Sequence, residues 1–179
     1  MDLGALVRPQ YDDAKDAVRS WAQSFVLGSP TDTLSLLKDL NQGVTRQLSY
    51  EARDAEGTQS PDETLRLGIG TCRDMATLLV EAARLLGFGS RIASGYLYDP
   101  EMSRLGSTGS GSTHAWAEIY VPGAGWITFD PTNQSVGSHN LIPVAVARDI
   151  RQVAPISGSY AGTGLAVGME VDVRILALR

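Results

Sequence analysis

The sequence contains one cysteine, Cys72, within the stretch GTCRD at residues 70–74. Thr71 is a typical N-cap residue, and a helical apolar pattern follows, so we predict that Cys72 begins a helix. The residues that form this pattern are Met75, Leu78, Leu79, Ala82, Leu85 and Leu86. Free amides and the positive dipole end of a helix N-terminus favour a thiolate and can stabilise an oxyanion. Cys72 is therefore a candidate nucleophile, and the alternative is a small buried core residue, the commonest role of an unpaired cysteine.

Two histidines are present, His114 and His139. His114 opens the stretch HAWAEIYV (114–121), which alternates as a β-strand does. One face carries His114, Trp116, Glu118 and Tyr120, as a polar and aromatic site would, and the other face is small and aliphatic, as a core would be. This placement makes His114 a candidate general base, with a structural or surface histidine as the alternative. His139 lies outside any catalytic spacing, and we interpret it as structural.

A carboxylate that could orient the imidazole follows in the next strand pattern, WITFD (126–130), after the turn PGAG (122–125). In an antiparallel pair, Asp130 shares a face with His114 if it lies directly opposite, about 5 Å away, or diagonally, about 7–8 Å away. We predict one of these two registers. Asp130 would then hold one ring nitrogen while the other reaches Cys72, which gives a nucleophile, a base and an orienting acid. The alternative for Asp130, which precedes a proline, is an ordinary turn residue.

The helices and strands that must position these residues are predicted from the spacing of apolar residues, which changes along the chain. Residues 1–90 have mainly helical patterns, with Ser29 and Ser60 predicted as N-caps, and residues 91–179 have strand patterns. The predicted strands are 91–98, 114–121, 126–130, 143–149 and 165–178. Helices followed by an antiparallel sheet define an α+β fold, and 179 residues suit a single domain, here residues 1–179.

Composition restricts the class of partner. The chain is 43% hydrophobic, enough for a core, and its net charge of −5 disfavours binding to nucleic acids and anionic membranes. No apolar run is long enough to span a bilayer, and the first residues lack a secretory signal pattern, so we predict a soluble, cytoplasmic protein. A metal site built on Cys72 and His114 is disfavoured, because zinc usually takes at least three protein ligands.

Three stretches, in this order, resemble the bacterial branch of the transglutaminase-like cysteine enzymes. They are GIGTCRDMATLLVEAARLLGFGSRIASGYL, HAWAEIYVPGAGWITFDPTN and HNLIPVAVARDIRQVAPISGSYAG, and the resemblance runs from about Ser60 to Gly162. It implies a papain-like fold in which the nucleophile helix packs on an antiparallel sheet or barrel. It also implies Cys72 as nucleophile, His114 as base and Asp130 as orienting acid, acting on carboxamide or peptide carbonyls through a thioester. No acidic loop has calcium spacing, so we expect neither a metal nor another cofactor.

The function we predict is hydrolysis of a peptide or protein substrate by a cysteine protease or amidase. The alternatives are transfer to an amine, as in a protein-glutamine transglutaminase, and a non-catalytic peptide-binding module of the same fold. Tyr50 is a candidate oxyanion donor or an aromatic at a strand end, and Trp116 is a candidate cleft wall, a shield for the imidazole or a packing residue. Asp74 is predicted to cap the helix, with binding of a substrate amine as the alternative, and Arg73 is predicted to pair internally.

Overall fold

The computed structural model describes residues 3–53, 57–98, 111–137, 139–156, 158–159, 161–164 and 172–175. The helices in these ranges are α1 (Leu3–Val7), α2 (Ala17–Gln23), α3 (Thr33–Gln47), α4 (Pro61–Leu67) and α5 (Cys72–Leu85), and a 3₁₀ turn covers Ile150–Gln152. The strands are β1 (Ser49–Tyr50), β2 (Ile69–Gly70), β3 (Ser90–Tyr98), β4 (Gly111–Val121), β5 (Gly125–Asp130), β6 (Ser135–Val136) and β7 (Leu141–Ala147).

The predicted α+β fold is confirmed. Five strands form an antiparallel sheet in the order β6-β5-β4-β3-β7, and four of them match predicted strands to within a few residues. The predicted strand at 165–178 lies mostly outside the described residues, and its described part, residues 172–175, is not in a strand. The sequence analysis did not predict the small parallel pair formed by β1 and β2.

Capping residues set the helix starts. Ser60 Oγ accepts a hydrogen bond from the backbone N–H of Glu63 at 3.2 Å, which confirms Ser60 as the N-cap of α4. The prediction for Ser29 is wrong, because the N-cap of α3 is Asp32. The Asp32 carboxylate accepts from the backbone N–H of Ser35 at 2.8 Å, so α3 starts one turn later than the proline at position 30 suggested.

Helix α5 is the centre of the hydrophobic core and packs on β4 and β3. Its apolar side chains from Met75 to Ala83 are fully buried, which makes hydrophobic burial the main force that fixes this helix on the sheet. The buried apolar residues of α5 are Met75, Ala76, Leu78, Leu79, Val80, Ala82 and Ala83, and those of the sheet include Ile92, Ala115, Ala117, Ile119 and Phe129. The odd-numbered face of β4 is therefore the core face, as its small and aliphatic residues indicated.

A buried ion pair between Glu81 and Arg84 fastens other parts of the chain to the same helix. Glu81 Oε2 accepts from the backbone N–H groups of Gln10 and Tyr11 at 2.7 and 3.1 Å. The Arg84 guanidinium donates to the carbonyls of Leu6, Ser90 and Arg148, at 3.2, 2.9 and 2.8 Å respectively.

The Arg148 side chain also binds the N-terminal residues. It donates to the carbonyls of Ala5, Arg8 and Pro9 at 2.8, 3.0 and 3.3 Å. The N-terminal residues, the second half of α5 and the corner that follows β7 are therefore joined in one polar network, which we call the N-terminal clamp.

Candidate active site

Cys72 is the first residue of α5, as predicted, and the start of this helix is held rigidly. The buried Asp74 carboxylate accepts from the backbone N–H and the hydroxyl of Thr71 at 2.8 and 2.9 Å. Its other oxygen accepts from the backbone N–H of Gln59 at 2.7 Å and from Arg53 Nη2 at 3.2 Å. Because the Asp74 side chain is fully buried and fully bonded, it caps the helix and is not available to a substrate amine.

The β4–β5 register brings His114 and Asp130 together. Ala117 pairs with Phe129, which puts Trp116 opposite Asp130 and makes His114 the diagonal neighbour of Asp130. This is one of the two predicted registers. The two side chains meet through a 2.9 Å contact between His114 Nε2 and Asp130 Oδ2. Both residues are buried, at 6% and 1% exposure, so little water competes for this bond.

Cys72 and His114 line the same cleft, and the Cys72 side chain contributes to the raised pKa of the imidazole. Since Asp130 occupies Nε2, the ring nitrogen left for the sulfur is Nδ1. Burial lowers the pKa of His114, but the hydrogen bonds to Asp130 and Cys72 and the negative charges of both outweigh burial, and the pKa rises from 6.5 to about 9. At neutral pH the site therefore favours an imidazolium beside the sulfur.

The Asp130 carboxylate has further donors that the sequence analysis missed. Oδ1 accepts from the backbone N–H groups of Thr132 and Asn133 at 3.1 and 3.3 Å, and Oδ2 accepts from Asn133 Nδ2 at 2.7 Å. Burial raises the pKa of Asp130, but its bonds to His114 and Asn133 outweigh burial and hold the pKa below its ordinary value. The order Asp-Pro-Thr-Asn could have indicated this arrangement, because aspartate commonly accepts from the backbone two residues on.

Trp116 covers the imidazole. It is 1% exposed, and its ring lies stacked beside that of His114, with centroids 6.2 Å apart and an interplanar angle of 29°. Trp116 does not line the cleft described below, so its position agrees with the predicted shield and not with a cleft wall.

Cys72 and His114 open into a cleft of about 300 Å³. Its lining residues include Tyr50, Arg73, Ser94 and Ile150. Tyr50 is 58% exposed, and it is brought to the cleft by the parallel pairing of β1 with β2, where Tyr50 lies beside Gly70. Partial burial and the negative charge at Cys72 raise the pKa of Tyr50, while the Arg73 cation opposes them.

Three further observations concern His139, metal ligands and membrane-spanning helices. His139 is exposed and does not line the cleft. Within the described ranges, no group of three or more His, Cys, Asp or Glu side chains is placed to hold a metal ion. Among the same residues, no helix is both long and apolar enough to cross a membrane.

Comparison with known proteins places this chain in a family. Residues 19–131, more than half of the chain, match the transglutaminase-like superfamily, and the chain belongs to that superfamily. An uncharacterized protein of Mycobacterium leprae is 38% identical over 109 residues, which cover 61% of this chain and 38% of that protein. An uncharacterized protein of Mycobacterium bovis is 31% identical over 149 residues, covering 80% of this chain and 47% of that protein. The chain thus spans less than half the length of these relatives.

Solved structures show the same fold. A candidate cysteine protease from Cytophaga hutchinsonii superposes with a TM-score of 0.69 at 23% identity, over 86% of this chain and 50% of that one. LapG from Legionella pneumophila superposes with a TM-score of 0.54 at 17% identity, over 81% of each chain. The periplasmic domain of TgpA from Pseudomonas aeruginosa superposes with a TM-score of 0.55 at 21% identity, over 75% of this chain and 49% of that one. The cytoplasmic location of the present protein stays a prediction.

Proposed function

We propose that this protein is a cysteine hydrolase that cleaves peptide or carboxamide bonds through Cys72, His114 and Asp130. The observation that carries the proposal is the convergence of the three side chains: the Asp130 carboxylate lies 2.9 Å from a buried imidazole, and the Cys72 sulfur lines the same cleft as this imidazole and helps to raise its pKa. Such a line of nucleophile, base and orienting acid is the arrangement that activates a thiol for acyl transfer. Membership of the transglutaminase-like superfamily supports the same chemistry.

In the first step the Cys72 sulfur attacks the carbonyl carbon and a carbon–sulfur bond forms. The negative charge that develops on the carbonyl oxygen would be stabilised by the amides of the first turn of α5, which have no partners within the helix. Tyr50 lines the same cleft and acts electrostatically with Cys72, so its hydroxyl is the side-chain donor we assign to this oxyanion.

In the second half of the reaction the imidazolium of His114 gives its proton to the leaving nitrogen, and the carbon–nitrogen bond breaks. The acyl group is then held on Cys72 as a thioester. His114, now neutral, takes a proton from water, whose oxygen attacks the thioester carbon; the carbon–sulfur bond breaks and releases a carboxylic acid, which leaves the Cys72 thiolate beside the His114 imidazolium. Asp130 holds Nε2 throughout, so that Nδ1 faces the sulfur in every step.

Hydrolysis is favoured over transfer to an amine by the openness of the cleft mouth. Tyr50 and Ile156, which both line the cleft, are 58% and 67% exposed. Water can therefore reach a thioester at Cys72, whereas an amine transferase has to exclude water from that intermediate.

The experiment is mass spectrometry of a peptide library incubated with wild type and with Cys72→Ala, with and without an added primary amine. We expect cleaved or deamidated peptides with wild type only. Amine adducts as the main product would show that the enzyme transfers the acyl group to an amine instead of hydrolysing the thioester. Products that form equally with Cys72→Ala would refute the thiol mechanism, and peptide binding without any product would indicate a binding module.

A further inference from the structure

The charge of the cleft differs from that of the whole chain. The protein has a net charge of −5, yet apart from Cys72 and His114 the charged side chains among the described lining residues are two arginines, Arg53 and Arg73, and no carboxylate lines this cleft within the described part of the chain. Low-dielectric walls focus the field of such charges, so the cleft attracts anionic groups even though the molecule as a whole repels them.

Only one of these two arginines has a positive charge that no described carboxylate neutralises. Arg53 Nη2 lies 3.2 Å from the fully buried Asp74 carboxylate, which neutralises it. The Arg73 side chain has no ion pair and no hydrogen bond with any described residue, and the Arg73 backbone carbonyl accepts from the Thr77 hydroxyl at 2.7 Å. The internal pairing predicted for Arg73 is therefore not found in the described structure.

The position of Arg73 fixes what it could recognise. Arg73 follows Cys72 directly, lines the same cleft and is close enough to Tyr50 to lower the pKa of its hydroxyl. Consecutive Cα atoms are about 3.8 Å apart, and an extended peptide advances about 3.3–3.6 Å per residue. A substrate carboxylate one or two residues from the carbonyl under attack would thus fall within the reach of the guanidinium.

The remaining wall is apolar and suits the backbone and side chains of a peptide. Ile150, Val153, Pro155 and Ile156 come from the segment after β7 and line the cleft. An apolar wall with a few placed polar groups is the usual composition of a ligand cleft, in which the polar groups determine specificity. Among the described lining residues, the charged group without an ion-pair partner is the Arg73 cation.

From these observations, and on the basis of the hydrolase activity proposed above, we propose that Arg73 is a specificity-determining residue that selects substrates with a carboxylate within two residues of the scissile bond. The carboxylate can come from an aspartate or glutamate side chain or from the C-terminus of a peptide. Arginine is suited to this role because its planar fork can bind a carboxylate through two parallel hydrogen bonds.

A different role for Arg73 would be to stabilise the Cys72 thiolate by its charge alone. That role would affect every substrate equally, since the sulfur is common to all reactions. Selection by Arg73 affects only substrates that carry the carboxylate. The ratio of kcat/KM between matched acidic and neutral peptides therefore separates the two roles.

The test uses four peptides. They carry either Glu or Gln at the residue next to the bond that wild type cleaves, and each of these two sequences is made with a free and with an amidated C-terminus. We expect wild type to prefer the Glu peptide, or the free C-terminus, by about 10- to 100-fold, as a charge-assisted hydrogen bond allows. Arg73→Gln should abolish this ratio by lowering kcat/KM for the Glu peptide far more than for the Gln peptide, and Arg73→Lys should retain part of the ratio. Arg66→Gln, which changes an exposed arginine of α4, is the matched control and should keep the full ratio.

The four peptides identify the source of the carboxylate, because the preference follows either the side chain or the terminus. An equal loss on acidic and neutral peptides in Arg73→Gln, or a wild type without preference, would overturn the assignment while the hydrolase stands. Peptide binding to Cys72→Ala, followed by fluorescence anisotropy, tests selection without turnover. If no peptide is cleaved but Cys72→Ala binds the acidic peptide more tightly than its Arg73→Gln double variant does, the hydrolase proposal fails and the specificity assignment survives.

Discussion

Asp130 and His114 lie diagonally across neighbouring strands, and Asp130 Oδ2 approaches His114 Nε2 to 2.9 Å. The diagonal position matters because the directly opposite place is occupied by Trp116, whose ring shields the imidazole. One pairing register therefore places the proposed orienting acid against His114 and the Trp116 ring beside the same imidazole. A slip of one residue would turn His114 and Asp130 to opposite faces of the sheet and separate them.

Replacement of the orienting acid should disable the site without unfolding it. Asp130→Asn keeps the shape of the side chain but removes the charge that holds the imidazolium, so we expect kcat to fall on the order of 10³–10⁴-fold. Peptide hydrolysis and thiol alkylation by iodoacetamide would be measured together. A variant that retains wild-type rates in both assays would remove Asp130 from the mechanism.

The raised pKa of His114 makes stability depend on pH. Because the folded pKa of about 9 exceeds the ordinary value of 6.5, protonated His114 stabilises the fold fully below pH 6.5, and this contribution is lost as the pH rises towards 9. The free energy of unfolding of wild type should fall across this window by up to about 3 kcal/mol more than that of His114→Gln.

Urea denaturation at pH 6, 7, 8 and 9 measures this difference, and the imidazole can be followed directly by NMR. His139→Gln is the matched control, because His139 is exposed, and it should behave as wild type. The hypothesis would be refuted by a His114 imidazole that titrates near pH 6.5, or by the same pH dependence in wild type and His114→Gln.

Asn133 should act as a positioning residue for Asp130. Its side chain donates to Asp130 Oδ2 at 2.7 Å and helps to hold the pKa of Asp130 down, so Asn133→Ala should raise that pKa. We expect kcat to fall by about tenfold, and the acidic limb of the pH–rate profile to move to higher pH. Asn140→Ala is the control, since the Asn140 amide donates to the carbonyl of Tyr98 instead. A lower rate with an unmoved acidic limb would mean that Asn133 is merely structural.

The hydroxyl of Tyr50 can be tested by deleting it alone. If it stabilises the oxyanion, Tyr50→Phe should lower kcat by about 10²- to 10³-fold with little change in KM, because the bond exists only in the transition state. The free energy of unfolding should stay within about 0.5 kcal/mol of wild type, since the side chain is largely exposed. A normal kcat in this variant would leave the α5 amides as the oxyanion donors.

The ion pair of the N-terminal clamp should be essential for folding. Glu81→Gln leaves the Arg84 cation buried without its carboxylate, so we expect a loss of about 3–5 kcal/mol in the free energy of unfolding. Glu63→Gln, at an exposed ion pair of α4, should cost less than about 1 kcal/mol. Urea denaturation curves give both values, and equal costs would show that the clamp does not hold the fold.

The sequence predicts best what depends on local pattern. The start of α5 at Cys72 follows from Thr71 and the apolar spacing after it, and the β4–β5 register follows from alternation around a short turn. The register between His114 and Asp130 could be limited to two possibilities, because a shift by an odd number of residues breaks the shared face and larger even shifts separate the two side chains. These features involve residues close together in the chain, where helix and strand periodicities determine the geometry.

Features that depend on distant residues were not predictable in the same way. The β1–β2 pair that carries Tyr50, and the cleft wall around Ile150, depend on contacts between segments with no common pattern. The start of α3 was misplaced, because Ser29 before a proline and Asp32 are both good caps and only the three-dimensional context decides between them. The unpaired state of Arg73 likewise depends on which carboxylates the fold brings near it.

The N-terminal clamp determines which residues a fragment of this chain must include to keep the site intact. The family match covers residues 19–131, whereas the clamp joins Leu6, Gln10 and Tyr11 to Arg148, immediately before the segment that walls the cleft. A fragment trimmed to the matched region would keep all three residues of the proposed triad but lose both ends of this fastening. It would also lack Ile150, Val153, Pro155 and Ile156, which wall the cleft, so the inactivity of such a fragment would say nothing about the chemistry of Cys72.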